Sequence, residues 1–344
     1  MNHPDPGKHG REIGRLRTMK ILFFTDTHFR GSSPANRKDN LWLTLKEKLI
    51  EVVNLANDYQ VDFVLHGGDF FDTPNPALSV VGDFVEILRQ LKRPLYGVAG
   101  NHDIFGGNLQ TLPRTVLGFI ARMGFINLVG EEGVRLEARG IRATLAGRPY
   151  HLDIDRRSRY LDYYIEKDSE SDVTIHLIHG MLLDKKQFPG DYTLIDDVEN
   201  TGADLVLAGH YHLGFGALQR GNRYFVNPGA LVRLSNHHRE IERKVNVALI
   251  DLTGGAINCR LITLQSAPPG EEVLDRSRAE ELESRMLAME RFTREVKEAA
   301  ELRRWNVSQI ISDLARAENL SEEVRMEALR RIAAAEELLM GQEG

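Results

Sequence analysis

Five short blocks of the 344-residue chain gather the side chains that could do chemistry: Asp26-Thr27-His28, Gly67-Gly68-Asp69, Gly100-Asn101-His102-Asp103, His179-Gly180 and Gly209-His210-Tyr211-His212. A D-x-H triplet or a G-N-H-D loop is commonplace alone. Together the blocks supply two carboxylates, one carboxamide and four imidazoles, an oxygen and nitrogen donor set suited to borderline divalent metals. No cysteine contributes, which disfavours a structural zinc site. Seven donors are too many for one tetrahedral ion. They suit two ions sharing a bridging carboxylate, the arrangement of binuclear hydrolases with metals about 3.5–4 Å apart.

The elements around these blocks explain how they could converge. Residues 19–25 (MKILFFT) read as a fully buried strand, 39–57 as a helix, 61–65 as a strand, 77–91 as a helix and 95–99 as a strand. That repetition predicts a parallel sheet with crossover helices. Arg139-Gly140 between 134–138 and 141–146 signals a hairpin. Residues 173–178 and 205–208 read as further buried strands, and 215–264 as strand-rich, with turns at Gly221-Asn222, Asn227-Pro228-Gly229 and Gly254-Gly255. Each chemical block follows a strand's carboxyl end, where open α/β sheets place ligand sites, and the adjoining glycines allow close backbone approach. The expected fold class is an α/β, four-layer αββα sandwich with a C-terminal helical tail.

The blocks DTH, GGDFFD (67–72), GNHD, HG and GHYH occur in the order found in the calcineurin-like metallophosphoesterase superfamily, which the chain resembles over residues 19–264. The LHGGDFFD context, the Asn227-Pro228-Gly229 turn followed by Ala230-Leu231-Val232-Arg233, and the tail resemble its SbcD/Mre-type DNA repair exonuclease branch. The resemblance implies that Asp26, His28 and His212 hold one metal, that Asn101, His179 and His210 hold the other, and that Asp69 bridges them. It implies that His102 faces the leaving oxygen as general acid or stabiliser, oriented by Asp103. Metal-bound water, a hydroxide near neutral pH, would then hydrolyse a phosphodiester. Two divalent ions are expected, with manganese favoured and iron, zinc or cobalt open.

Other residues invite plainer readings. His66 is expected to be buried support for the site. His176, three residues before His179 on one strand, should face the opposite side. Asp72 either positions substrate or water or starts a turn; some family members carry histidine there. Tyr211 is expected to be wall, and His237-His238-Arg239 and the run 156–159 (RRSR) solvated surface.

Composition bounds the rest. Formal net charge is −6, so this is no blanket nucleic-acid binder. A single cysteine, Cys259, excludes a disulfide framework and fits a reducing, cytoplasmic location. No apolar run is long enough to span a membrane. Residues 1–18 read as a disordered leader, with Met19 a candidate natural start, 19–266 as the catalytic body and 267–274 as a linker (Ala267-Pro268-Pro269-Gly270 opens it). In 275–344, 28 of 70 residues are charged, so the tail is read as helices whose apolar stripes need a covering surface. The stripes are Leu282, Met286, Met289, Phe292 and Val296, then Val307, Ile310, Ile311 and Leu314, then Val324, Ala328, Leu329, Ile332 and Leu339, with Ser321 as N-cap of the last. Folding back on the body or homodimerisation would cover them. The resemblance implies instead that they grip an SbcC/Rad-type ABC ATPase, with DNA as substrate. Those relatives carry a substantial capping domain between body and tail; here about 40 residues separate the Asn-Pro-Gly turn from the linker, and they read as core strands. Two rival readings are a small-molecule phosphodiesterase or phosphatase, and a scaffold with a dead metal site, which the complete ligand set opposes.

Overall fold

Strand β1 (Thr18–Phe24) shows how this sequence builds layers. Its continuous apolar run buries both faces: Leu22 and Phe24 join one core cluster, Met19, Ile21 and Phe23 another. Full burial of each such side chain contributes about 1.5–3 kcal/mol. The computed structural model describes residues 17–275 and, in the tail, 277, 288–289, 291–294 and 311–340. The expected leader therefore lies outside the described residues, apart from its last two.

Six strands form each of two sheets. The first runs β14 (Ala256–Thr263), β13 (Asn246–Thr253), β1, β2 (Phe63–His66), β3 (Leu95–Gly97), β4 (Asn127–Leu128). β1 through β4 pair in parallel, while β13 and β14 attach antiparallel. The second runs β11 (Gly216–Arg220), β12 (Arg223–Asn227), β10 (Leu205–His210), β7 (Val173–Gly180), β6 (Ile141–Arg148), β5 (Val134–Ala138). Its centre, β6, β7, β10 and β12, is parallel, and the short β8 (Leu182–Leu183) and β9 (Thr193–Leu194) pair with each other apart from it. Arg139 and Gly140, both with positive φ, turn the β5–β6 hairpin as expected.

Three core clusters define four layers. Between the sheets, Ile21, Phe23 and Leu65 meet Leu145, Ile175, Leu177 and Leu207. Outside the first sheet, Leu22 and Val64 pack with Leu45, Leu49 and Val52 of α1 (Leu41–Asp58) and with Phe84 and Ile87 of α2 (Leu78–Leu88). Outside the second, Ile178, Val206 and Phe225 pack with Tyr163 of α3 (Arg159–Tyr163) and Ile195 and Val198 of α4 (Ile195–Val198). The chain thus has the expected four-layer αββα sandwich. The segment after the Asn-Pro-Gly turn supplies β13, a largely buried strand of the first sheet, and β14, its edge strand, whose side chains are exposed or half-buried rather than core as expected.

Most boundaries fall within two residues of the sequence reading, and two differ further. α2 stops at Leu88, not residue 91, because the Asn57 amide takes over the backbone there, donating to Gln90 O and accepting from Lys92 N. Residues 267–274, expected as a linker, are docked on the body. Val273 and Leu274 are buried, Leu274 bridges to Arg37, and Arg233 donates to Pro268 O. The division of the chain into two units falls after Asp275.

The tail unit contains helix 311–317 and helix Glu322–Met340, the latter starting right after Ser321 with Glu322 and Glu323 in its first turn, where carboxylates favour the dipole. Ala315 is buried, whereas Leu314, Leu320 and Val324 are more than half exposed, as are Met289 and Phe292. Leu282, Met286, Val296, Val307 and Ile310 lie outside the described residues, and Leu339 has no described side-chain environment.

Candidate metal centre

The loops after β1 and β2 are zipped together: Asp26 N donates to Gly68 O, His28 N to Asp69 O and Phe29 N to Phe70 O. The loop after β10 joins them through His210 N, which donates to the Asp26 carboxylate at 3.0 and 3.1 Å. The Asn227-Pro228-Gly229 turn braces that loop, with Asn227 donating to Tyr211 O and Ala230 N to His212 O. Glycine is required where these loops touch. A Cβ at Gly100 would lie 2.1 Å from Asp69 Oδ1, and one at Gly68, where φ is +100°, would lie 2.4 Å from His179 Nδ1. Asp26, His28, Asp69 and His210 all hold positive φ without being glycine. Such strain persists where surrounding structure over-determines it, commonly at functional sites.

The expected ligands fall into two sets. Asp26, His28, Asp69 and His212 offer donor atoms within 4.8 Å of one another, and so do Asp69, His179 and His210. Asp69 belongs to both. Its Oδ2 lies 3.4 Å from His28 Nε2 and 3.3 Å from His179 Nε2, is buried, and accepts no hydrogen bond. Asn101 Oδ1 stands 3.2 Å from His179 Nε2, beside the second set. His28 Nε2 and His212 Nε2 approach to 3.0 Å. Two imidazole lone pairs at that distance need a proton or a cation between them. An orphaned carboxylate oxygen and converging ring nitrogens fit divalent ions. His179 Nδ1 lies 2.7 Å from Gly67 O, a contact that protonates Nδ1 and leaves Nε2 as the ligand atom.

The electrostatics of these groups is opposed. Burial pushes Asp26 up; it would raise Asp69 too, but His179 and His28 hold Asp69 well below the carboxylate range. Burial pulls His179 down, yet Asp69 outweighs it and raises the ring to about 9, whereas burial and His179 drive His210 down to about 3. Ions binding here must compete with protons.

His102 and Asp103 part company. His102 Nδ1 contacts the carbonyl of Asp72 at 2.8 Å, while the Asp103 carboxylate accepts from the backbone N–H groups of Gly100, Phe70 and Phe71. The expected orientation of His102 by Asp103 is therefore replaced by orientation through Asp72. Asp103 instead ties the G-N-H-D loop to the G-G-D loop, because its fully buried oxygens face three amide donors. Asp72 also pairs with Arg30 at 2.8 Å and lies 3.6 Å from His28 Nδ1. His28, Asp72 and His102 form a third potential ligand group.

The plainer readings divide. His66 is fully buried, contacts Thr27 Oγ1 through Nε2, accepts from Gly68 N at Nδ1 and stacks on Phe70, so neither nitrogen is free for a metal. His176 is buried on the face away from His179. His237 and Arg239, read as surface, instead line a groove of about 550 Å³ with Asp69, Asn101, His102, His210 and His212. No spacing in the sequence marks them; a segment following the last block of ligands was the only hint. Tyr150, whose ring lies 5.6 Å from that of His210, was missed for the same reason.

Paired oxygen and nitrogen donor sets sharing one carboxylate, at strand ends of an αββα sandwich, define a metal-dependent phosphoesterase. The calcineurin-like phosphoesterase family profile matches residues 19–214, and the chain belongs to that family. Similar curated proteins are of the Mre type. The "DNA double-strand break repair protein Mre11" of Methanosarcina mazei is 25% identical over 72% of this chain and 38% of its own length. The "Double-strand break repair protein MRE11" of Encephalitozoon cuniculi is 24% identical over 76% of this chain and 50% of its own. The chain thus spans half or less of these relatives' lengths. A dimetal phosphatase from Danio rerio superposes over 72% of this chain and 99% of its own, at 12% identity and a TM-score of 0.45.

Proposed function

We propose that this protein is a DNA nuclease of the SbcD/Mre type that hydrolyses phosphodiester bonds at a binuclear centre. The observation that carries the hydrolytic reading is the unpartnered Asp69 oxygen between two ligand sets, with His102 in the same groove. Asp26, His28 and His212 would hold one ion, Asn101, His179 and His210 the other, and Asp69 both. Two divalent ions, with manganese favoured by a thiolate-free donor set, would supply Lewis-acid activation of water and phosphate. His102, its Nδ1 engaged by Asp72, presents Nε2 to protonate the departing oxygen. The DNA reading is supported by the Mre-type relatives. The exposed apolar side chains of the tail support docking of 276–344 on an SbcC/Rad-type ABC ATPase.

The test is cleavage of linear duplex and single-stranded DNA by purified protein with manganese, bis-p-nitrophenyl phosphate alongside and His102→Ala as control. DNA degradation that disappears in the variant is the expected result. Hydrolysis of the small diester with all DNA intact, with and without the ATPase, would favour a small-molecule phosphodiesterase.

A further inference from the structure

One wall of the groove is built from residues that the hydrolytic chemistry does not use. Gln187 Nε2 donates to Asp184 Oδ1 at 3.0 Å, which turns its amide oxygen the other way. That oxygen accepts from Tyr211 Oη at 2.6 Å and from the guanidinium of Arg239. Tyr211 sits in sequence between His210 and His212, so the wall is fixed to the ligand loop itself. Among the described residues no carboxylate pairs with Arg239. The adjacent acid, Glu240, is buried and committed to Arg243. Phe188, next to Gln187, lines the same groove and is 36% exposed.

A guanidinium carries five N–H donors, and holding one of them in place orients the rest. Arg239 is therefore a pre-oriented anion receptor in the groove that the metal ligands line. The metal centre accommodates the scissile phosphate; a fixed cation elsewhere in the groove suits a second one. An exposed ring beside it suits a base. Phosphate and base recurring along a groove are the features of a nucleic-acid strand, whereas a phosphomonoester or a simple diester presents one phosphate only.

We infer that Arg239, oriented by Gln187 and Tyr211, is a positioning residue that grips the phosphate neighbouring the scissile one in a nucleotide chain, with Phe188 as platform for a base. The assignment rests on the nuclease reading above and adds to it a second phosphate-binding point in the groove.

The test uses the full chain with manganese and a substrate series with the same alkoxide leaving group throughout: thymidylyl-(3′→5′)-thymidine, with one phosphate, and single-stranded oligothymidylates with two or more. In the wild type, kcat/KM rises on the order of tenfold once a second phosphate is present, mainly through KM. Arg239→Gln loses that step and Arg239→Lys recovers part of it. On a long oligothymidylate, Arg239→Gln also flattens the slope of log(kcat/KM) against log salt by about 0.7, the signature of one lost single-strand phosphate contact. An equal fall on one-phosphate and longer substrates, or an unchanged salt slope, overturns the assignment. Oligonucleotide cleavage without a second-phosphate step overturns it and leaves the nuclease reading standing. Hydrolysis of the one-phosphate ester with every longer strand uncut overturns both.

Discussion

His102 Nδ1 lies 2.8 Å from the carbonyl oxygen of Asp72. A carbonyl only accepts, so Nδ1 carries the proton and Nε2 is the atom left for substrate. Replacing the ring should therefore impair proton delivery and spare metal binding. His102→Ala is expected to lower kcat by about 10²–10⁴-fold while manganese stoichiometry and affinity, measured by calorimetry, stay close to wild type. Loss of an ion in the variant would instead place His102 among the ligands, with His28 and Asp72.

Asp69 makes a different prediction because both ligand sets share it. Asp69→Asn removes one of two carboxylates and leaves a neutral amide where two ions would meet. Both should weaken together, by tenfold or more on the order of other ligand losses. Asn101→Ala should weaken one only. Metal titrations of the two variants decide it: loss of a single ion in Asp69→Asn would contradict the bridging role.

How much of this was legible follows from which forces act locally. The continuous apolar runs of β1, β7 and β10 and the glycines beside the ligands mark strands and tight loops in the sequence itself. The blocks at the strand ends were therefore readable. What was not readable depends on tertiary hydrogen bonds. Nothing in G-N-H-D says that Asp103 turns toward amides across the G-G-D loop, or that the Asp72 carbonyl reaches His102 from 30 residues away. Nor does Asn57 announce that it will end α2. Arg239 looks like surface in sequence because its partner, Gln187, is 52 residues distant.

Asp103 links structure to activity through that loop contact. Burial and the neighbouring Asp69 push its carboxyl up to about 7, against the pull of the Gly100 and Phe71 amides. Asp103→Asn keeps the volume but puts an NH2 group where an oxygen accepts N–H donors. A buried amide left unpaired costs about 1–3 kcal/mol. The variant should melt several degrees lower and bind metal more weakly, because the displaced G-G-D loop carries Asp69. Wild-type melting together with wild-type metal affinity would show that the three amides find other partners.

His176 offers a test of packing by pH, away from the metal centre. Its ring is fully buried, and burial together with Arg148 drives it down to about 4, against a hydrogen bond to Tyr163 and the charge of Asp162. In the unfolded chain it titrates near 6.5. Between pH 6.5 and 4 the unfolded state therefore takes up a proton that the folded state refuses. The ring's contribution to stability is intact above pH 6.5 and is lost as the pH falls through that window. The loss is of the order of a few kcal/mol. His176→Leu removes the titrating group, so with chelator present the wild type should lose more stability than the variant between pH 7 and 4.5 in denaturant titrations. The other buried histidines contribute equally to both curves and cancel in the difference. Parallel curves would mean that the ring becomes protonated inside the folded protein, with Asp162 stabilising the charge.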